Sequence, residues 1–204
     1  MSPDSEPSSP AARRIPAKIF VSGGFGVGKT TLIGAASEIE PLTTEECLTE
    51  ISDGIDSLTG VERKSTTTVA LDFGRLTFTE QQMVLYLFGT PGQDRFWFTW
   101  DDLVIGAVGA VVLVDTRRLA DAFTAVGYFE QTQLPFIVAM NEFDDAPYRY
   151  SPTQVREALE VPGHVPIVRC DARDQRSAIT VLLTLVGHAL TQHPTPHPPI
   201  GAPA

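Results

Sequence analysis

Apolar and polar positions along the chain follow two rhythms. The runs AKIFVS (17–22), MVLYLFG (83–89), GAVVLVD (109–115), PFIVAMN (135–141) and VPIVRCD (165–171) are short, nearly continuous and rich in β-branched residues, the pattern of buried strands. TTVALDFGRLTF alternates instead, with Val69, Leu71 and Phe73 on one face, and the turn TEQQ folds it onto MVLYLFG as a hairpin. Helical stretches fall between the runs. TTLIGAASEI continues from the first strand, and SPTQVREALE starts with Ser151 as N-cap, Pro152 at the first helical position and Gln154 set for a capping box. DQRSAITVLLTLVGHAL has the apolar stripe of a closing helix over a sheet. Strands that alternate with helices predict an α/β fold: a mostly parallel six-stranded sheet, helices on both faces, ligands at the carboxyl ends of the strands. The polar, irregular segment 40–66 reads as a loop longer than a compact domain needs for a connection, a length usually kept for function.

Composition narrows the setting. The 204 residues suit one domain over about 15–191, with a Ser/Pro/Ala tail at 1–14 and a Pro-rich tail at 192–204, both read as disordered. A hydrophobic share of 43% with 20% charged residues is that of a globular chain. The net charge of −10 argues against non-specific binding to nucleic acid or to an anionic lipid surface. Cys47 and Cys170 have no metal-site or disulfide spacing, which fits a reducing, cytoplasmic location. The start of the chain lacks an apolar signal segment, no run is long enough to span a membrane, and neither end carries a lipidation motif. Direct membrane insertion is therefore not expected.

The chemistry is concentrated in four stretches. GGFGVGKT fits G-x-x-x-x-G-K-[ST] through Gly23, Gly28, Lys29 and Thr30, after a strand and before a helix. Gly23, Gly24, Gly26 and Gly28 let backbone N–H groups wrap phosphates, with Phe25 and Val27 between them and Thr31 following. Lys29 supplies charge to the β and γ phosphates, and the Thr30 hydroxyl suits Mg²⁺. NEFD puts Asn141 and Asp144 three apart at a strand end, where Asp144 can accept two N–H bonds from guanine, a pattern adenine cannot match. In PGQDRF, Gly92 can offer an N–H to the γ-phosphate and Gln93 can orient the attacking water. In CDAR, Asp171 and Arg173 flank Ala172, whose N–H suits the guanine carbonyl.

The ordered set GGFGVGKT, a threonine cluster, GTPGQDRF, NEFD and CDAR resembles a Ras-type small GTPase over about residues 16–190. It is similar to the gliding-motility type of bacterial small GTPase. STTTVALDFG, FGTPGQDRFWF and CDARD bring it closest to the GTPases of actinobacterial conservon operons. The resemblance implies a GTP/GDP switch with Mg²⁺, a roadblock-type partner and a sensor-kinase-like membrane protein that recruits it. It also implies a switch threonine four residues before Asp72, which selects Thr68 as a metal ligand, with Thr67 the nearby alternative.

Three departures bear on catalysis. Gly89 stands where such proteins usually carry an aspartate toward magnesium, and Asp115, at the end of the next strand, is the candidate replacement. Losing that kind of partner costs a metal site about 10–100-fold, so Mg²⁺·GTP binding is expected to survive. Thr67 stands where gliding-type relatives place an arginine, and Arg63, Lys64 and Arg95 are off that position. Slow intrinsic turnover, raised by a partner, is the expectation. Glu142 replaces a usual lysine beside the base. In RFWFTW, Phe96, Trp97 and Trp100 fall on one side of a helix after Gln93, either as core or as a partner face. A non-hydrolysing pseudo-GTPase scaffold is the alternative. A small-molecule kinase is disfavoured, because NEFD, CDAR and GQ have no role in one.

Overall fold

The computed structural model describes residues 14–50, 65–90 and 100–192. The two tails, apart from Arg14 and Gln192, lie outside the described residues. The elements in chain order are β1 (Ile15–Ser22), α1 (Lys29–Ala36), β2 (Leu42–Glu50), β3 (Ser65–Phe78), β4 (Met83–Gly89), α2 (Trp100–Leu103), β5 (Ala107–Asp115), α3 (Phe123–Thr132), β6 (Phe136–Asn141), α4 (Pro152–Ala158), β7 (Ile167–Cys170) and α5 (Gln175–Gln192). A 3₁₀ turn over Leu119–Ala122 leads into α3.

The strands form one sheet in the order β2-β3-β4-β1-β5-β6-β7. β1 pairs in parallel with β4 and β5, and β5–β6 and β6–β7 are parallel as well. β3 runs antiparallel to both β2 and β4. The α/β class with a mostly parallel sheet is as expected. The sheet has seven strands because β2 adds to the six read from the sequence. Residues 42–50, read there as loop, pair in register with β3 from Leu42↔Phe73 to Glu50↔Ser65. LTTEECLTE lacks an apolar run of its own; backbone pairing along the β3 edge makes it a strand, and acidic residues are tolerated at a sheet edge. Ser65 and Thr66, also read as loop, begin β3; positions 51–64 of the expected loop lie outside the described residues.

Period-two alternation splits the strand side chains between two cores. Ile19, Val21, Val111 and Leu113 pack with Leu32 and Ile33 of α1 and Val181, Leu182 and Leu185 of α5. Phe20, Val112 and Val114 face the other way, against Val126 and Phe129 of α3 and Val155 of α4. The capping box forms as read: Gln154 N donates to Ser151 Oγ at 3.2 Å, and Ser151 N to Gln154 Oε1 at 2.9 Å. α1 stops at Ala36, short of the stretch read as helix. Ser37 turns to extended backbone and its hydroxyl meets Ile39 and Arg75. Of RFWFTW, only Trp100 is described. It is core: buried, stacked on Phe129 at 5.9 Å and edge-on to Tyr128 at 5.1 Å. Phe96 and Trp97 lie outside the described residues.

β1 is where the chain changes direction across the sheet. The connection through β2 and β3 returns to one side of it as β4, and β5 lies on the other. A crevice at the carboxyl end of such a strand is the expected ligand position. The loop that leaves β1 there is GGFGVG.

Candidate nucleotide site

Ser22 ends β1 and Lys29 begins α1, so the glycine loop joins a buried strand directly to a helix N-terminus. Gly23, Gly26 and Gly28 have positive φ. Gly28 caps α1 at φ 103°, and a Cβ there would lie 2.8 Å from Asn141 Nδ2, so both conformation and space require glycine. Phe25 and Gly26 form the exposed tip, and Val27 is buried beneath. Lys29 folds back over the loop, buried, its Nζ donating to Gly23 O at 2.8 Å and Gly24 O at 2.9 Å. Burial lowers its pKa to about 8, against the opposing charge of Asp72. Two neutral carbonyls hold a desolvated ammonium there; a phosphate oxygen would be a stronger acceptor.

Thr30 and Thr31 are exposed on the first turn of α1. Thr30 Oγ1 donates to Asp72 Oδ2 at 2.5 Å. Asp72 is on β3 and pairs across the hairpin with Gly89. A Cβ on Gly89 would lie 2.9 Å from Ile33 Cδ1, 3.0 Å from Asp72 Cβ and 3.2 Å from Asp72 Oδ2. The space that an aspartate at 89 would enter therefore holds the Asp72 side chain. The carboxylate beside the Thr30 hydroxyl is that of Asp72 on β3, one strand over from Gly89.

Asp115, the replacement expected from the sequence, is engaged elsewhere. It is buried and bound by Arg117 through N and Nε to Oδ1, both at 2.9 Å, and through Nη2 to Oδ2 at 2.8 Å. Burial opposes its charge, but the bonds and charge of Arg117, with Arg118 behind, outweigh this and hold the carboxyl below the usual range. Arg117 also pairs with Asp145 and lies 3.7 Å above the Phe143 ring centre. Asp115 thus anchors a turn.

Asn141 is the buried joint between the phosphate loop and the far corner. Its Nδ2 donates to Val27 O at 2.9 Å and its Oδ1 accepts from Ala172 N at 3.0 Å. Asp144, three residues on, is exposed and paired with Arg173 at 2.8 Å; Arg173 also bonds Asp171 at 2.9 Å. The hydrogen bond from Arg173 is the main cause that keeps the carboxyls of Asp144 and Asp171 below the usual range. Asn141, Asp144, Asp171, Ala172 and Arg173 thus form one cluster, in which the Ala172 amide is already bonded. Glu142 pairs with Arg169 at 3.0 Å.

Thr68 and Thr67 stand on β3, paired with Cys47 and Leu48 of β2; their side chains lie outside the described residues, as do Gly92 and Gln93. The sequence reading uses Asp72 only to locate Thr68, and it misses Arg117 and Arg118. Asp72 carries a usable signal: counting back from the turn TEQQ pairs it with Gly89. Cys170 is buried, and burial pushes its thiol up to about 11, which removes it from nucleophilic chemistry. No helix among the described residues is long and apolar enough to cross a membrane.

The profile of a family described as a conserved hypothetical ATP binding protein matches residues 21–192. An uncharacterized protein of Methanocaldococcus jannaschii is 30% identical over 129 residues, which is 62% of this chain and 70% of that protein.

Proposed function

The chain belongs to the family described as conserved hypothetical ATP binding proteins, and from that premise we propose that this nucleotide-binding P-loop protein is a guanine nucleotide switch that hydrolyses GTP slowly. The phosphates lie along Gly23–Thr31 with Lys29 on their charge, and the base lies at Asn141, Asp144 and the 171–173 loop. Thr30 and Asp72 fit Mg²⁺, since the Thr30 hydroxyl on the first turn of α1 and the Asp72 carboxylate on β3 are neighbouring oxygen ligands. Among the described residues no cluster of three or more His, Cys, Asp or Glu could hold a metal, so the ion would be shared with nucleotide oxygens. Magnesium, when bound, would neutralise charge on the β and γ phosphates. Thr68 is a further candidate for it, and Gly92 and Gln93 serve the γ-phosphate and the attacking water. The partners implied by the resemblance are a roadblock-type protein and a sensor-kinase-like membrane protein that brings the switch to the membrane.

The observation that supports this reading most is the Asn141 bridge. One buried amide ties Val27 of the phosphate loop to Ala172, and three residues after Asn141 the chain exposes the Asp144 carboxylate. That couples a phosphate cradle to a base-reading corner. The family description names ATP and favours a second reading, an adenine nucleotide held by the same loop. Competition against a fluorescent guanosine nucleotide with Mg²⁺ separates the two. GTP and GDP should displace it, with ATP at least about 100-fold weaker, because adenine offers no N–H pair to Asp144 in place of its bond from Arg173. Equal affinity for ATP rejects the guanine assignment, and no displacement by any nucleotide rejects the whole reading. Phosphate release from bound GTP then distinguishes a hydrolase from a non-hydrolysing scaffold.

A further inference from the structure

We propose that Arg118 is this protein's own arginine for the γ-phosphate, supplied from the turn after β5; the inference rests on the reading that a nucleoside triphosphate occupies the glycine loop.

The two arginines that follow Asp115 are held very differently. Arg117 is committed, with its bonds to Asp115 and Asp145 and its stacking on Phe143. Arg118 is held more loosely. Its carboxylate neighbours, Asp115 and Asp121, are 3.7 and 3.8 Å away, and 48% of its side chain is exposed. Its guanidinium hydrogen bond goes from Nη2 to Phe25 O, at 2.8 Å, on the tip of the phosphate loop. Among the described residues, Lys29 and Arg118 are the cationic side chains hydrogen-bonded to that loop.

The surroundings support the same assignment. A Cβ on Gly26 would lie 3.6 Å from Arg118 Nη2, so the guanidinium sits against the tip of the loop. The 3₁₀ turn that follows Arg118 is pressed against the loop, since a Cβ on Gly24 would lie 2.6 Å from Asp121 Cβ. The base of Arg118 is thus fixed against the cradle while its end holds a neutral carbonyl. A phosphate oxygen is the stronger acceptor for a guanidinium.

In hydrolysis, water attacks the γ-phosphorus, a P–O bond forms, and the bond to the β–γ bridging oxygen breaks with its electron pair passing to the diphosphate. The proton of the water ends on the released phosphate. Arg118 transfers no proton in this step; its N–H groups follow the charge that builds on the γ oxygens. Arginines in that role are worth about 10³–10⁵ in rate once they reach the γ oxygens; held on Phe25 O, Arg118 leaves the intrinsic rate slow until it swings across.

The test compares wild type with Arg118→Ala and Arg118→Lys. Affinities for GTPγS and GDP are measured with Mg²⁺, together with thermal melting and trapping of GDP by aluminium fluoride. The expected result is a loss of about tenfold or more in GTPγS affinity, the scale of a hydrogen bond to a charged group, with GDP affinity and melting unchanged. Aluminium fluoride should no longer be trapped, and lysine should not restore it. If Arg118 only braces Phe25 O, both nucleotides weaken together, or lysine rescues binding; either outcome overturns the proposal. Wild-type protein that binds neither nucleotide sinks the underlying reading as well. Wild type that binds both, with the Arg118→Ala variant indistinguishable from it, sinks this inference alone.

Discussion

The two ends of the sheet contrast in a way that bears on where to look for chemistry. At the end away from the glycine loop lies a cavity of about 570 Å³, walled by Phe129, Leu134, Pro135, Phe136 and Val165, with His164 and His188 at its side. At the loop end, two hollows among the described residues are tiny: about 10 Å³ beside Gly24 and Leu113, and about 10 Å³ beside Asn141 and Phe143. Volume alone would point away from the glycine loop. A phosphate site is made of backbone N–H groups, one cation and a helix start, none of which needs an enclosed space. The walls of the large cavity mix apolar residues with Glu130, Gln133, His164, His188 and Gln192 and, among the described residues, hold no lysine or arginine, whereas Lys29, Thr30, Asp72 and Asn141 converge at the small end.

Mutations at the two ends should therefore separate binding from folding. Lys29→Ala removes the ammonium that two loop carbonyls hold. On the proposed reading the ammonium passes from these carbonyls to phosphate oxygens, so triphosphate affinity should fall by at least about 10²–10³-fold in a titration, with the apo protein still folded. An effect below about tenfold would mean that the loop does not carry phosphates. At the opposite end, Phe129→Ala empties the centre of the aromatic cluster with Trp100, Tyr128 and Phe136. It should cost about 3–5 kcal/mol in denaturant unfolding, while nucleotide affinity of the remaining folded protein stays within about twofold. A matched loss of affinity would join the two ends and break the comparison.

The Asp72 carboxylate sharpens it. Asp72→Asn keeps the shape but weakens the oxygen donor beside Thr30, and Mg²⁺ dependence of nucleotide binding should shift by about 10–100-fold. Gly89→Asp alone should not tighten binding. Its side chain would collide with Asp72 and Ile33, so it should destabilise by about 1–3 kcal/mol. The pair Asp72→Gly with Gly89→Asp relieves the clash with Asp72 and should recover part of the Mg²⁺ dependence. If Gly89→Asp is as stable as wild type, Asp72 does not fill the slot.

The same contrast explains what could be read from the chain. The phosphate loop was legible because its parts are contiguous: strand, glycines, Lys29 and Thr30 in one stretch. The buried strands were legible because each carries its own apolar run, and α4 because its capping box is local. β2 was not, since LTTEECLTE becomes a strand only through β3. Asp72 and Asp115 were harder still. Which acid faces Thr30 depends on hairpin register, and which acid is neutralised depends on Arg117 folding back two residues. Arg118 needed the packing of the 3₁₀ turn on Gly24, a contact between the loops after β1 and β5 that no local pattern encodes.

The smallest effect is expected at the cavity end, from pH. His188 on α5 lies beside His164, with ring centres 6.4 Å apart. Burial, then the neighbouring charge of His164, lowers its pKa below the ordinary histidine value; Glu130 is the acid on the same cavity wall. A histidine whose folded pKa lies below its unfolded value binds fewer protons in the native state. Stability is therefore unaffected well above the ordinary value and falls as pH drops through it. Wild type should lose more melting temperature between about pH 7.5 and 5.5 than His188→Gln does, by about a degree for a domain of this size. Nucleotide affinity over the same range should be the same for both proteins, because the imidazole is at the far end of α5 from the glycine loop. A pH profile of affinity that changes with His188→Gln would show that protonation in the large cavity reaches the small site.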